Sequence, residues 1–164
     1  MCHPLQVQKL IIKPRKFDPL MGDFNNVARS LAQLNGMEEL DLTGNAFGGK
    51  LPKQFADVNN LKSLQILKLK GNKISDTLPS SWSAKNVLFN LEELDLSDNK
   101  FSGKLPTNWG EEGFQKLNKL RLAGNQITGA LPEEWGTEGW WPAFNVLDVS
   151  RNQISGMFLC LDMF

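Results

Sequence analysis

Apolar residues recur along this chain in a fixed order, with a step of 26 or 27 residues. Each copy has two apolar residues three positions apart, then two at alternate positions, then an asparagine with an apolar residue two positions after it. Four copies then have Leu-Pro, with an aromatic residue three positions after the proline. The asparagines of the five copies are Asn45, Asn72, Asn99, Asn125 and Asn152. A constant period of this size indicates a solenoid in which each copy forms one coil.

The apolar residues at alternate positions predict the main structural element of each copy. Alternation over so few residues is typical of a short strand with one buried face. We therefore expect one strand in each coil and a parallel sheet along the stack. The paired residues are Leu40 and Leu42, Leu67 and Leu69, Leu94 and Leu96, Leu120 and Leu122, and Leu147 and Val149.

The N-terminal residues have the same apolar order without the asparagine, and they predict a degenerate first strand. Val7, Leu10 and Ile12 take the apolar places of the later copies. Charge and proline, which keep an exposed edge strand from pairing with another molecule, crowd this segment. They are Lys9, Lys13, Pro14, Arg15 and Lys16. A basic docking patch is the alternative interpretation of the same residues.

The segment after the first strand predicts a short amphipathic helix over residues 24–35. Val27 and Leu31 lie at helical spacing on its apolar face. Asn25 and Asn26 are the expected N-caps, because asparagine is strongly preferred at that position.

The complete pattern, LxxLxxLxLxxNxFxGxLPxxW, resembles the plant-type class of leucine-rich repeats, and its LPxxW ending is similar to repeats of kinetoplastid protist surface proteins. Two features depart from the plant-type pattern. The repeats here are longer, and Asp76 stands where other copies have glycine. The resemblance implies an α/β repeat fold, a right-handed leucine-rich-repeat solenoid with a parallel β-sheet on the concave face and short helices or turns on the convex face.

We expect a single domain over residues 1–164, with a degenerate first unit at 5–33. The five repeats are expected at about 34–60, 61–87, 88–113, 114–140 and 141–164. Repeat arrays bury their core by stacking, so their end units need caps. In the last repeat Phe158 fills the leucine place but no closing tryptophan follows. We therefore expect a piece of a longer array, or self-association through an uncapped C-terminal end.

The asparagines are predicted to be structural. A chain that turns in from a strand leaves backbone N–H and C=O groups where water cannot reach them, and asparagine both donates and accepts. Stacked asparagines can therefore join each coil to the next.

The five tryptophans resemble a stacking platform for bases or sugars, but their places in the repeat predict a core role for four of them. Trp82, Trp109 and Trp135 share one place, and Trp141 occupies a place that other copies fill with leucine or phenylalanine. Trp140 falls outside the pattern and is the candidate for an exposed contact.

Strand residues between the buried positions point outward onto the concave face. The residue between the two strand leucines reads Ile11, Asp41, Lys68, Asp95, Arg121 and Asp148 along the stack. Because the charges alternate, we expect this column to pair lengthwise. The surface is then either self-neutralised or a ligand-binding face. The candidate ligand-binding residues are Lys68, Lys70, Lys73, Asp95, Ser97, Lys100, Arg121, Gln126, Asp148 and Arg151.

The composition limits the classes of partner and compartment. Eighteen basic and 18 acidic residues cancel, so the totals indicate neither nucleic acid nor an anionic membrane as partner. No apolar run approaches the roughly 20 residues that span a bilayer, so direct membrane insertion is not expected. Gln, Lys and Pro interrupt the N-terminal residues before an apolar core of a signal peptide can form, so we do not expect a secretory signal there. We therefore expect a cytoplasmic protein if the chain is complete, and a cell-surface or secreted one if it belongs to a longer protein.

Catalysis has little support in the sequence. His3 is the single histidine and lies outside the repeats, so no nucleophile and base are brought together. Zinc-ligand spacings are absent, and no cofactor or metal is expected. Cys2 and Cys160 lie near opposite ends of the stack, about 24 Å apart at about 4.8 Å per strand. A disulfide needs Cα atoms within about 7 Å, so both thiols are expected to be free.

The resemblance implies a non-catalytic protein-protein interaction scaffold that binds a protein or peptide ligand on its concave face. Two alternatives remain. The chain is the ligand-sensing module of a longer receptor or enzyme, such as a receptor-like kinase, or it is a purely structural surface or matrix repeat.

Overall fold

The computed structural model describes residues 7–14 and 19–156. In this part of the chain, one short strand from each of six coils joins a parallel sheet. With strands numbered in chain order, these are β1 (Lys9–Ile11), β3 (Glu39–Asp41), β5 (Ile66–Lys68), β7 (Glu93–Asp95), β9 (Lys119–Arg121) and β11 (Val146–Asp148). They lie side by side in that order, and the register aligns equal places of the repeat, with Leu10 opposite Leu40 and Leu40 opposite Leu67. The predicted strand in each coil, including the degenerate first one, is confirmed.

The strand leucines form the core of the solenoid. Leu40, Leu67, Leu94 and Leu120 are each 0% exposed, as are the second leucines of the same four strands. The places before each strand are also filled by buried apolar side chains, among them Met37. The repeat therefore fixes which side chains face inward, and the residues between them face outward.

A second set of parallel strands, which was not predicted from the sequence, follows the asparagine place of the repeat. β2 (Met21–Asp23) pairs with β4 (Ala46–Gly48). β6 (Ser75–Thr77), β8 (Lys100–Gly103), β10 (Gln126–Gly129) and β12 (Gln153–Ile154) form a four-stranded sheet. The apolar residue two places after the asparagine is buried in these coils, as at Phe101 and Ile127. This alternation was present in the sequence, but it is too short to distinguish a strand from a turn.

The Leu-Pro segments lead into single turns of 3-10 helix at Lys53–Ala56, Ser80–Ser83 and Glu133–Gly136. Proline suits this position because its fixed φ is compatible with the first turn of a helix and its missing N–H is not needed there. Each of these turns directs one aromatic side chain into the core. The short helices expected from the resemblance are present.

The helix α1 (Phe24–Ala32) covers the N-terminal side of the core. It is shorter than predicted, and its N-cap is Asp23 rather than Asn25 or Asn26, because the Asp23 carboxylate accepts a hydrogen bond from the backbone N–H of Asn25 at 2.9 Å. Its buried face also differs from the prediction. Val27 is 36% exposed. The buried side chains are Phe24, Ala28, Leu31 and Ala32.

The asparagines form a continuous ladder of hydrogen bonds between coils. Nδ2 of Asn99 donates to the backbone carbonyls of Leu69 and Leu96 at 2.9 and 3.1 Å, and Oδ1 accepts from the N–H of Ile74 at 3.1 Å. The same three kinds of bond recur at Asn45, Asn72, Asn125 and Asn152. Each side chain satisfies backbone groups of its own coil and the preceding one, as expected for a structural role.

Tryptophans make a second ladder that sequence reasoning did not predict. The indole N–H of Trp109 donates to the backbone carbonyl of Pro79 in the preceding coil at 3.1 Å. Equivalent bonds join Trp82 to Pro52 at 3.4 Å and Trp135 to Pro106 at 3.0 Å. These three side chains and Trp141 are at most 6% exposed. The LPxxW ending is therefore a structural unit in which the proline accepts and the tryptophan donates.

Candidate ligand-binding face

Two outward-facing columns of side chains cover the concave sheet. The first contains Glu39, Ile66, Glu93, Lys119 and Val146, and the second contains Asp41, Lys68, Asp95, Arg121 and Asp148. Successive strands place their equivalent residues about 4.8 Å apart, so charged groups of neighbouring coils lie within reach of each other.

The ion pairs of these columns differ from the predicted lengthwise pairing. Arg121 and Lys68 both contact Oε1 of Glu93, at 2.7 and 3.7 Å, from the coils on either side. Glu93 belongs to the first column, so the bases of the second column pair diagonally and not with the aspartates beside them. The longer glutamate side chain reaches both bases, whereas the short aspartates are held by their own backbone.

The aspartates of the second column accept hydrogen bonds from the backbone N–H two residues further along. Asp41 accepts from Thr43 at 2.9 Å, and Asp95 from Ser97 at 3.0 Å. Asp95 and Ser97 are consequently only 8% and 3% exposed. Each is engaged in ending a strand and offers little surface to a ligand, and their selection as ligand-binding residues stays a prediction.

Two of these aspartates have pKa values below the ordinary range. Burial acts to raise the pKa of Asp41, but hydrogen bonds from Lys13 and Thr43 and the charge of Lys13 together lower it. The pKa of Asp148 is lowered chiefly by hydrogen bonds from Ser150. Both carboxylates are therefore charged at neutral pH. Lys13 lies 2.7 Å from Asp41, so this basic residue of the first strand is bound to the next coil.

The segment after the strands carries a second ion cluster. Arg151 contacts Asp98 at 2.9 Å and Lys70 contacts it at 3.6 Å. The Asp98–Arg151 pair crosses the intervening coil above Gly124, where an added Cβ would collide with the Asp98 carboxylate. Glycine at this point leaves room for the bridge.

The remaining candidates on this face differ in exposure. Lys73, Lys100 and Gln126 are exposed, and no carboxylate among the described residues lies within salt-bridge distance of either lysine. Asp148 is half-buried at the last described strand of the sheet. Their role as ligand contacts stays a prediction.

Trp140 is half-buried and packs against the core. Its side chain is therefore less exposed than its place outside the repeat pattern suggested. The other tryptophans are core residues, as predicted.

The C-terminal side of the last described coil forms an open apolar groove of about 530 Å³ that includes Leu131, Leu147, Val149 and Ile154. Whether the groove pairs with another chain stays a prediction, since residues 157–164 lie outside the described part.

Several predictions of the sequence concern residues that the structure does not describe. They involve Cys2, His3, Arg15, Lys16, Phe158 and Cys160. Within residues 7–14 and 19–156, no group of three or more His, Cys, Asp or Glu side chains is arranged to hold a metal ion. No helix in the same ranges has the length and apolar character to cross a membrane.

The leucine-rich repeat family model matches four segments of the chain, at residues 36–58, 63–84, 90–111 and 116–137. These segments cover more than half of its length and contain four of the five asparagine repeats. The chain therefore belongs to the leucine-rich repeat family. No curated protein matches it in sequence.

Solved structures similar to this chain include ectodomains of plant receptors. One is that of the Arabidopsis thaliana membrane receptor kinase GASSHO1/SCHENGEN3 in complex with CASPARIAN STRIP INTEGRITY FACTOR 2, at 30% identity and a TM-score of 0.73 over 92% of this chain and 16% of that one. Another is the plant peptide hormone receptor RGFR1 in complex with RGF2, at 27% identity and a TM-score of 0.72 over 85% and 20%. The BIR3–SERK2 complex from Arabidopsis thaliana matches at 30% identity and a TM-score of 0.67 over 87% and 68%. The chain thus spans a fifth or less of the first two structures.

Proposed function

We propose that this chain is a non-catalytic binding module that holds a protein or peptide ligand against its concave face. The observation that carries the proposal is the separation of roles within each coil. Leucines, asparagines and tryptophans build the solenoid, and the outward positions of the sheet are left to side chains that differ from coil to coil. A surface that varies on a constant frame is suited to recognition.

The similar structures support a protein or peptide as the ligand. RGFR1 is described as a peptide hormone receptor in complex with RGF2, and BIR3 forms a complex with SERK2. Because this chain matches only part of the longer ectodomains, its place as the sensing module of a larger receptor belongs to the proposal. The repeat boundaries given above are likewise proposed.

The test is selection of ligands from a phage-displayed peptide library, followed by variants that block one face at a time. Lys68→Trp with Lys119→Trp adds bulk to the concave sheet, where tryptophan is compatible with a strand. Lys53→Trp with Lys85→Trp makes the same chemical change at exposed positions outside this sheet. We expect the concave pair to weaken the selected peptides at least about tenfold, as for the loss of a binding hot spot, and the control pair to change affinity less than about twofold.

Equal losses in the two variants would refute binding at the concave face. Failure to select any peptide that discriminates between them would favour a structural repeat instead. Circular dichroism spectra and melting temperatures of both variants establish that each is folded before affinities are compared.

A further inference from the structure

Charges on the concave side are sorted across the sheet, from one end of the strands to the other. Over the five repeats that follow the degenerate first unit, the two positions that precede the first strand leucine form an acidic rim. Its charged residues are Glu38, Glu39, Glu92, Glu93 and the single base Lys119. The three positions that flank the ladder asparagine after the strand form a basic rim. Its charged residues are Lys70, Lys73, Lys100, Arg151 and the single acid Asp98. The neutral total of the chain conceals this division.

Within residues 7–14 and 19–156, the basic rim has more positive charge than the carboxylates that pair with it neutralise. Its one carboxylate, Asp98, is shared between Lys70 and Arg151. Lys73 and Lys100 are exposed and occupy the same place in successive coils, about 4.8 Å apart along the stack. Side chains that leave the backbone at such a spacing bring two like charges into one region, and an external carboxylate placed between them relieves their repulsion.

The dimensions favour an extended peptide as the source of the carboxylates. The basic rim runs over three coil steps, about 14 Å, which matches about four to five residues of extended chain at about 3.3 Å per residue. The acidic rim is separated from it by a similar distance, because Ser97 lies four residues after Glu93, about 13 Å at about 3.3 Å per extended residue. A broad polyanion laid on the basic rim would meet these carboxylates, whereas a single extended strand lying along the stack avoids them.

We propose that the ligand contributes a short acidic segment that lies in extended form along the basic rim, with carboxylates at Lys73 and Lys100. This inference rests on the proposed function and adds the chemistry of the partner to it. Alternate side chains of an extended peptide face the same way about 6.7 Å apart. A segment with acidic residues at every second position therefore presents its carboxylates to the rim on one face.

The test uses fluorescence anisotropy with a labelled peptide of alternating Glu and Ser and a matched peptide of alternating Lys and Ser. The rim variant is Lys73→Glu with Lys100→Glu, and the control is Lys53→Glu with Lys85→Glu, which has the same change in total charge at exposed positions away from the rim. We expect the wild type to bind the acidic peptide only. The rim variant should weaken that binding at least about tenfold and the control less than about threefold, because exposed charges beyond a Debye length are screened at physiological salt.

A third variant, Asp98→Gly, should act in the opposite direction. Asp98 has a left-handed φ of 54°, and the same place holds glycine in three other coils, so glycine is compatible with the backbone. Removing the single acid of the rim should tighten binding of the acidic peptide about threefold, in proportion to one added unit of net positive charge. A variant that gains affinity cannot be explained by misfolding.

The results separate this inference from the proposed function. Equal losses in the rim and control variants, or equally tight and rim-dependent binding of single-stranded oligothymidylate, would overturn the assignment of an acidic peptide. Library peptides that are blocked by Lys68→Trp with Lys119→Trp but are indifferent to Lys73→Glu with Lys100→Glu would overturn the acidic segment and leave the proposed function intact. Peptides indifferent to both changes would refute both.

Discussion

Asn99 provides the sharpest test of how the coils are joined. Replacing it by alanine removes three donated hydrogen bonds, to the carbonyls of Leu69, Leu96 and Ser97, and one accepted bond from a side chain that is 8% exposed. The carbonyl of Ser97 still accepts from the N–H of Gly71 at 2.9 Å. The losses are unequal. The carbonyls of Leu69 and Leu96 each keep a second donor, from Asn72 and Asn125. The N–H of Ile74 accordingly depends on Asn99, which is the acceptor it uses within the described residues.

The expected destabilisation follows from these contacts. A buried N–H left without an acceptor costs about 1–3 kcal/mol, and each lost bond to a carbonyl that retains another donor adds about 0.5–1 kcal/mol. We therefore expect Asn99→Ala to lower the free energy of unfolding by about 3 kcal/mol. For a domain of this size, that corresponds to a fall in melting temperature of about 6–12 °C.

The assay is thermal and urea unfolding followed by tryptophan fluorescence and by circular dichroism, with agreement between the two probes as the check on two-state behaviour. Asn145→Ala is the matched control, since Asn145 is exposed, and it should change stability by less than about 0.5 kcal/mol. Asn99→Asp keeps the acceptor for Ile74 but faces two carbonyls with a buried carboxylate, so it should destabilise at least as much as alanine. A difference of less than about 2 °C between the melting temperatures of Asn99→Ala and the control would mean that the substitution has no effect. In that case the asparagine ladder would not be what joins the coils.

Three further predictions concern other contacts. Trp109→Phe keeps an aromatic ring but loses the bond to proline, and should lower the free energy of unfolding by about 1 kcal/mol in urea titrations. Gly110→Ala should cost at least about 2 kcal/mol and alter the near-ultraviolet circular dichroism, because the residue has a φ of +97° and a Cβ would lie 2.5 Å from the Trp141 indole. Asp41 has a lowered folded pKa, so its stabilisation is present above the unfolded pKa of about 3.9 and is lost as pH falls through the folded value. The difference in melting temperature between Asp41→Asn and the wild type should therefore become smaller as the pH is lowered from 6.

The sequence was sufficient to predict the coil and its inward-facing residues. A place that is apolar in every copy is buried in the inner coils, since each coil packs on its neighbours. The same places are only partly buried in the first and last described coils, as at Leu10 and Leu147. The prediction was less complete where a residue is defined by its partner. The Trp109 to Pro79 bond joins residues of different coils, and periodicity alone does not reveal which carbonyl an indole reaches. The helix N-cap was mispredicted for the same reason. Asp23, Asn25 and Asn26 are all polar residues near the helix start, and the sequence alone does not reveal which of them caps it.

The outward face of the concave sheet was predicted in position but not in detail. The outward columns were correctly located because strands alternate, and their charges were read directly from the sequence. Their pairing was not predicted, since it depends on side-chain length. Glu93 reaches bases in both neighbouring coils, whereas Asp95 reaches its own backbone and becomes buried. The charged residues in the sequence therefore indicated an exposed surface. The contacts of their side chains in the structure determine which of these residues are accessible to a ligand.

Departures from the repeat are the most informative positions on the surface. Asp76, Asp98 and Arg151 stand at places where other coils have glycine, and all three have left-handed φ values, of 85°, 54° and 54°. Each is also in an ion pair. Asp76 contacts Lys50 at 2.6 Å, and Asp98 contacts Arg151 at 2.9 Å. Exposed pairs of this kind contribute little because solvent screens them, so they do not offset the cost of a strained backbone conformation. Stability alone therefore favours glycine at these places. What the charged residues add is a fixed distribution of charge, and at Asp98 and Arg151 it lies on the rim where we place the ligand.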